Sequence, residues 1–247
     1  MKVILITGAS SGIGASTALE CAARGMGVIL TWHRHPQAAD DVVRQIEKAG
    51  GQAVAVQLDV SRSETFPAFR AQLEALLPRI WHRSDFDVLI NNAGFGLFNP
   101  IETVTESEFD SLFNVHLKGP FFLTQTLLPL LAGGGHIVNV TSATTRVATA
   151  GVAPYAAFKG GLEVLTRYMA KEFGPRRIRA NSISPGAIRT GLGGGLNDEF
   201  EALLASQTAL GRVGEPEDVA KAIAGLISDD SRWINAQSIE VAGGYHI

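Results

Sequence analysis

The sequence predicts an α/β fold: a single doubly wound domain, with a mostly parallel seven-stranded sheet and helices on both faces. Three observations lead there. Short apolar runs, many of them β-branched, alternate with helical patterns from residue 3 to residue 241. No linker, charge run or repeat interrupts them, and the helical stretches supply the crossovers that parallel strands need. The runs also end on small or polar residues: Thr7-Gly8, Asp59-Val60, Asn91 to Gly94, Thr141-Ser142 and Ser184-Pro185-Gly186. Sheets of this kind hold ligands beyond those carboxyl ends, so one domain over residues 1–247 with one site is expected.

Taken in order, Val3–Ile6 has the length and character of a buried strand, and Gly8 stops it. A helix is expected over 15–24, bracketed by Gly25 and Gly27. A strand over 28–32 follows, then a helix over Pro36–Lys48 closed by Gly50-Gly51, then a strand over 53–58. Residues 61–77 read as helical, with a connector over 78–85 and a fourth strand over 88–90. An apolar loop spans 95–105. A helix over 107–131 is expected to break near Gly119-Pro120 and to end at Gly133-Gly134-Gly135. Then come a strand over 136–140, a long helix over 154–173 and a strand over 178–183. Gly193-Gly194-Gly195 loosen a partly helical stretch over 192–206, within a substrate segment at about 188–208 expected to be mobile. A helix over 216–227 and the strand Ser238–Val241 complete the pattern.

Composition narrows the function classes. Hydrophobic residues at 46% and charged residues at 18% exclude a disordered or fibrous chain. A net charge of −3 offers no basic surface for nucleic acid or an anionic membrane. Cys21 is the one cysteine, so neither an intrachain disulfide nor a Cys-rich metal site is available. The opening apolar run is too short for a signal peptide, and no window approaches the ~18 apolar residues of a membrane span. A cytoplasmic protein without metal, nucleic-acid or membrane partners is expected.

Two constellations carry chemistry. The first is Gly8-Ala9-Ser10-Ser11-Gly12-Ile13-Gly14 after the first strand. Gly8 permits a tight turn, the small residues let an anion approach the main chain, and the first helical N–H groups are left free for a phosphate. The Gly-x-x-x-Gly-x-Gly spacing differs from G-x-G-x-x-G, and glycines serving only packing are the plainer alternative. The second is Tyr155 with Lys159, one turn apart on a helix that Pro154 opens, facing Ser142 at a strand end. A phenol with a pKa of ~10 needs help to exchange protons at neutral pH, and an ammonium that lowers it by about three units must supply roughly 4 kcal/mol. A Tyr ring merely packed on a Lys stem is the other reading.

With these motifs the sequence resembles the short-chain dehydrogenases/reductases over nearly its whole length, closest to 3-oxoacyl-carrier-protein reductases. The matching residues are Thr7 to Gly14, Asp59-Val60, Asn91-Asn92-Ala93-Gly94, Asn114, Ser142, Tyr155-x-x-x-Lys159 and Pro185-Gly186 with Thr190. The resemblance implies a Rossmann-type sheet, a nicotinamide dinucleotide and a small-molecule carbonyl or alcohol substrate. It gives Tyr155 the proton of the substrate oxygen, Ser142 a hydrogen bond to that oxygen, and Lys159 the nicotinamide ribose together with a lowering of the Tyr155 pKa. Asn114 would steady a water leading to Lys159. Asp59 would meet the adenine amino group beside the Val60 backbone. Asn91, with Ala93 and Gly94, would line the adenosine ribose side, although an Asn at a strand end also suits tying two strands together. Ile188 and Thr190, after Pro185-Gly186, would meet the carboxamide.

The end of the second strand bears on the cofactor. No Asp or Glu lies in 28–36, where an NAD enzyme places its ribose-binding acid. Thr31-Trp32-His33-Arg34 stands there instead, and the Arg34 fork suits a 2′-phosphate. NADP(H) is therefore expected over NAD(H), which stays possible; a solvated turn is the bland reading of the same residues. The substrate walls are expected at 95–98, 144–147, Val152 and 192–196, with Arg146 the one charge among them. The Leu131-Ala132-Gly133-Gly134-Gly135 segment lacks the basic residues expected of an enzyme that docks an acyl carrier, and Arg176-Arg177 suits helix capping as well as carrier binding. An NADPH-dependent carbonyl reductase leads, with a 3-oxoacyl-carrier-protein reductase or a non-catalytic NADP(H) sensor as alternatives. The resemblance also implies a homotetramer, or a homodimer, built on the two long helices.

Overall fold

The computed structural model describes residues 1–247. Seven strands form one sheet in the order β3-β2-β1-β4-β5-β6-β7, with every pairing parallel. They are β1 (Val3–Ile6), β2 (Gly27–Trp32), β3 (Ala53–Gln57), β4 (Phe86–Asn91), β5 (Leu131–Val140), β6 (Arg179–Pro185) and β7 (Ser238–Val241). Strand order reverses between β1 and β4, which opens a crevice above their carboxyl ends.

The two-residue period of β1 explains both layers. Val3 and Leu5 face a core shared with α3 (Phe66–Trp81), α5 (Gly119–Leu127) and α6 (Ala153–Phe173). Ile4 and Ile6 face the opposite core with α1 (Gly12–Ala23), α2 (Pro36–Lys48) and α8 (Pro216–Leu226). A strand buried on both faces must be apolar at every position, as Val3–Ile6 is. The remaining helices are α4 (Glu106–Phe113) and α7 (Asp198–Ser206). No helix is long and apolar enough to cross a membrane.

Three elements depart from expectation. α3 runs through Pro78 to Trp81, because Trp81 closes over β2 where Gly27 makes room: a Cβ at Gly27 would lie 2.3 Å from the indole Nε1. The expected break at Gly119-Pro120 is instead a π-helical turn, Asn114–Lys118, in which the Gly119 N–H reaches back to the Asn114 carbonyl. β5 starts at Leu131 and takes in the three glycines, which bulge where its register with β4 jumps from Phe86–Leu131 to Val88–His136.

Candidate active site

The Gly loop is built for close approach. Gly8 adopts φ +64°, and a Cβ there would lie 2.7 Å from the Ala93 Cα, so β1 and β4 end in backbone-to-backbone contact. At Gly14 a Cβ would lie 2.5 Å from both the Gly8 carbonyl and Asn92 Nδ2. Asn92 locks the junction: its Nδ2 donates to the Thr7 and Gly8 carbonyls at 2.9 and 3.1 Å, and its N–H donates to Thr7 Oγ1 at 3.0 Å. The Gly8 N–H is taken by Thr31 Oγ1 at 3.2 Å. Ser11 precedes α1 in an extended conformation and makes no side-chain cap, so no side chain claims the first N–H groups of α1. A loop with glycine at 8, 12 and 14 and unclaimed N–H groups at the positive end of a helix fits a pyrophosphate. Beyond it, Thr190 crosses over the loop, its Cγ2 lying 3.4 Å from where a Gly12 Cβ would be. That crossing is fixed by Gly186 N–H to the Val241 carbonyl at 3.2 Å and by Ile188 bridging to Gly214.

Ser142, Tyr155 and Lys159 gather at the same edge of the sheet. Ser142 follows β5, and its Oγ accepts from the Thr144 N–H at 3.2 Å and from Thr144 Oγ1 at 2.9 Å. Tyr155 stands in the first turn of α6. Burial raises its pKa above the ordinary value, and the nearby Ser142 hydroxyl opposes this only in part. One turn on, Lys159 is buried, with its Nζ 5.6 Å from the Tyr155 ring centroid and donating to the Val140 carbonyl at 2.7 Å. Burial without a carboxylate partner drops its pKa to about 8. In this structure the Lys159 ammonium donates to the Val140 carbonyl, and burial outweighs the factors that lower the Tyr155 pKa. Asn114 opens the π turn beside α6, a distortion that frequently marks functional sites.

Facing this group are the expected substrate walls. Phe98 is 59% exposed, and its ring lies 3.0 Å from where a Gly193 Cβ would stand. The Asn99 N–H donates to the Gly151 carbonyl at 2.8 Å, so the 95–99 and 147–152 segments meet. Arg146 contributes no free charge. It forks onto Glu240 at 3.0 and 2.6 Å and donates to the carbonyls of Tyr245 and His246. The one charge expected among the walls is spent instead on tying down the carboxyl-terminal segment.

A family profile described as enoyl-(acyl carrier protein) reductase matches residues 8–246. The chain belongs to the short-chain dehydrogenase/reductase family. An uncharacterised oxidoreductase of Methylorubrum extorquens is 39% identical over 98% of this chain and 97% of its own. The hydroxynaphthalene reductase-like protein Arp2 of Metarhizium majus is 34% identical over 98% and 94%. Among solved structures, the angucycline C-6 ketoreductase LanV with bound NADP superposes with a TM-score of 0.95 at 35% identity, covering 99% of this chain and 95% of that one. This protein is accordingly an NAD(P)-dependent oxidoreductase with the family's parallel sheet.

Within this short-chain reductase, the sequence-named residues fall into three groups. Gly8, Ser10, Ser11, Gly12, Ile13, Gly14, Ala93, Gly94, Pro185, Gly186, Ile188 and Thr190 line or brace the end of α1 and the crevice next to it. Ser142, Tyr155 and Lys159 stand at the same edge of the sheet, and Asn114 opens the π turn that packs on α6. Arg34 is exposed on the turn after β2, next to His33, whose Nε2 sits 3.2 Å from Asp59 Oδ2. Burial works against ionising Asp59, yet the Ser61 hydroxyl and amide, helped by His33, hold its carboxyl below the usual range. Val60 is buried, its carbonyl 2.4 Å from where a Gly119 Cβ would be. Asn91 needs correction: its buried Nδ2 donates to Asn139 Oδ1 at 2.8 Å and Thr124 Oγ1 at 3.3 Å, so it ties β4 to β5 and its side chain does not line a ribose. Thr7, Thr31 and Asn92 stand in the quoted motifs, but their bracing of the Gly loop was not read from them. Strand alternation carried the signal, because Asn91 turning into the core sends Asn92 to the Gly loop.

Proposed function

We propose that the protein is an NADPH-dependent reductase of uncharged, largely apolar ketones, with Ser142, Tyr155, Lys159 and Asn114 as its working set. One observation carries the reading: buried Lys159 lies one helical turn from Tyr155 with its Nζ 5.6 Å from that ring, at the sheet edge that also holds the glycine cradle at the start of α1. A dinucleotide held by its pyrophosphate at that cradle would supply, through its nicotinamide, a hydride to the substrate carbonyl carbon. Tyr155 gives its phenolic proton to the carbonyl oxygen, Ser142 donates a hydrogen bond to the same oxygen, and Lys159 steadies the phenolate that remains. A water held by Asn114 would return the proton through Lys159. Burial keeps Tyr155 an acid at neutral pH, which suits reduction better than oxidation.

NADPH is favoured by Arg34 at the place where an acid would bind a ribose hydroxyl, and by the NADP in the similar LanV. The exposed Phe95 and Phe98, with Arg146 bound up by Glu240, favour an apolar substrate; relatives named as ketoreductases and hydroxynaphthalene reductase-like proteins agree. Acyl-carrier docking has less support, since Arg176 donates to the Leu128 and Leu131 carbonyls. We further propose a homotetramer, supported by exposed Phe109, Phe121, Phe122, Val164 and Tyr168 on α4, α5 and α6.

Fluorescence titration with NADPH and NADH tests the cofactor assignment. NADPH should bind more tightly, and Arg34→Ala should weaken it by about tenfold or more while changing NADH by less than about twofold. Tighter NADH binding by the wild type would overturn the assignment.

A further inference from the structure

His116 lies two residues beyond Asn114 in the π turn, and no motif pointed to it. It is 1% exposed, and it touches three parts of the site at once. Its ring meets Tyr155 edge-on, with centroids 5.0 Å apart and planes at 81°. Its Nε2 lies 2.9 Å from the Phe95 carbonyl, at the head of the substrate loop, and its ring also packs against the Phe95 ring at 5.4 Å. Gly94, at the end of the β4 motif, has no Cβ because one would lie 2.8 Å from His116 Cε1. Nε2 also lies 3.5 Å from the Phe95 N–H, but the 2.9 Å contact with the carbonyl is the shorter and assigns the proton to Nε2, which leaves Nδ1 a bare acceptor, buried and without a protein donor. A second proton on the ring would have to be buried beside the Lys159 ammonium. Burial first, and Lys159 second, hold the His116 pKa well below its ordinary value.

We infer that His116 is a positioning residue of the reductase: as a neutral imidazole it pins the Phe95 end of the substrate loop through Nε2–H and orients the Tyr155 ring by edge contact. The two jobs belong to different parts of the side chain. The N–H sets where the substrate wall stands, and the ring sets where the proton donor stands. The π turn makes this possible, because its wider winding aims residue 116 between the substrate loop and α6 while Asn114 stays beside α6. Neutrality matters too. A charged ring there would add a second cation beside a phenol that the site keeps protonated.

This inference rests on the reductase reading, so the test carries one readout that needs no turnover. His116→Phe keeps an aromatic edge for Tyr155 and loses the donor; His116→Gln keeps a donor able to reach the Phe95 carbonyl and loses the ring. The expected pattern is crossed. His116→Phe raises the ketone KM by about five- to tenfold with kcat nearly unchanged, and speeds amide hydrogen exchange over residues 94–99 by about tenfold. His116→Gln leaves KM and that exchange near wild type, lowers kcat by about tenfold, and moves the pH limb of kcat that reports Tyr155. NADPH dissociation constants stay within about twofold in both, which shows that both variants fold. Parallel losses of KM and kcat in the two variants, or an exchange rate over 94–99 unchanged in His116→Phe, would overturn the inference. A wild type that reduces no ketone would overturn the functional reading instead, while the exchange rates still decide whether His116 pins the loop.

Discussion

Lys159 is a buried ammonium with a carbonyl for a partner and no carboxylate, so the folded protein bears a cost for holding its charge. Its pKa falls from an ordinary 10.5 to about 8. Below pH 8 both folded and unfolded chains carry the proton; above it the folded chain releases the proton while the unfolded chain keeps it. The unfolded state then binds more protons, and stability rises with pH. From pH 8 to pH 9 this contributes about 1 kcal/mol. From about pH 8 an opposite effect also enters, because burial pushes the Cys21 thiol up to about 12 and the unfolded thiol ionises first; it is common to the wild type and to Lys159→Met and cancels in their difference. Urea unfolding at pH 8 and pH 9 should therefore show the wild type gaining roughly 1 kcal/mol relative to Lys159→Met. A constant difference between the two proteins would mean that Lys159 titrates at its ordinary value. Tyr155 is the complementary residue. Its burial keeps the proton on until a substrate oxygen takes it.

At the scale of elements, the Gly loop shows how steric need sets function. Gly14 faces backbone, the Gly8 carbonyl at 2.5 Å, so a methyl group there cannot be accommodated by rotating a side chain. Gly14→Ala should weaken NADPH binding more than tenfold and destabilise the protein by about 1–3 kcal/mol, measured by titration and urea unfolding. Unchanged NADPH affinity would detach the loop from the cofactor. Such features were legible in the sequence because they are local: apolar runs bounded by glycine, and a Tyr-Lys pair spaced by one helical turn. Others depend on distant partners and were not. α3 passes Pro78 because Trp81 finds Gly27 some fifty positions earlier, and the π turn fits because Gly119 rides against Val60. Arg146 read as a free charge until Glu240 and the chain end came to it. His116 had no signature, since its partners Phe95 and Tyr155 meet it only in three dimensions. The 188–208 segment belongs with these: Arg189 forks onto Glu201 of α7 at 2.6 Å and reaches Glu215 at 3.0 Å, which braces α7 over the substrate side.

Over the whole molecule, the sheet brings five strand ends to one edge, and the two cores beneath them fix their spacing. Exposed aromatic residues on α4, α5 and α6 support the proposed tetramer as a face that its copies would cover. Sedimentation equilibrium should report a tetramer, and a monomer at micromolar concentration would remove that part of the account. The central claim is that Tyr155 is the acid of an NADPH-dependent ketone reduction. The most direct measurement is NADPH oxidation with a panel of apolar ketones by the wild type and by Tyr155→Phe, with NADPH affinity measured in both. The account predicts turnover by the wild type and a loss of about a hundredfold or more in Tyr155→Phe at unchanged NADPH affinity. Undiminished turnover in Tyr155→Phe would contradict it.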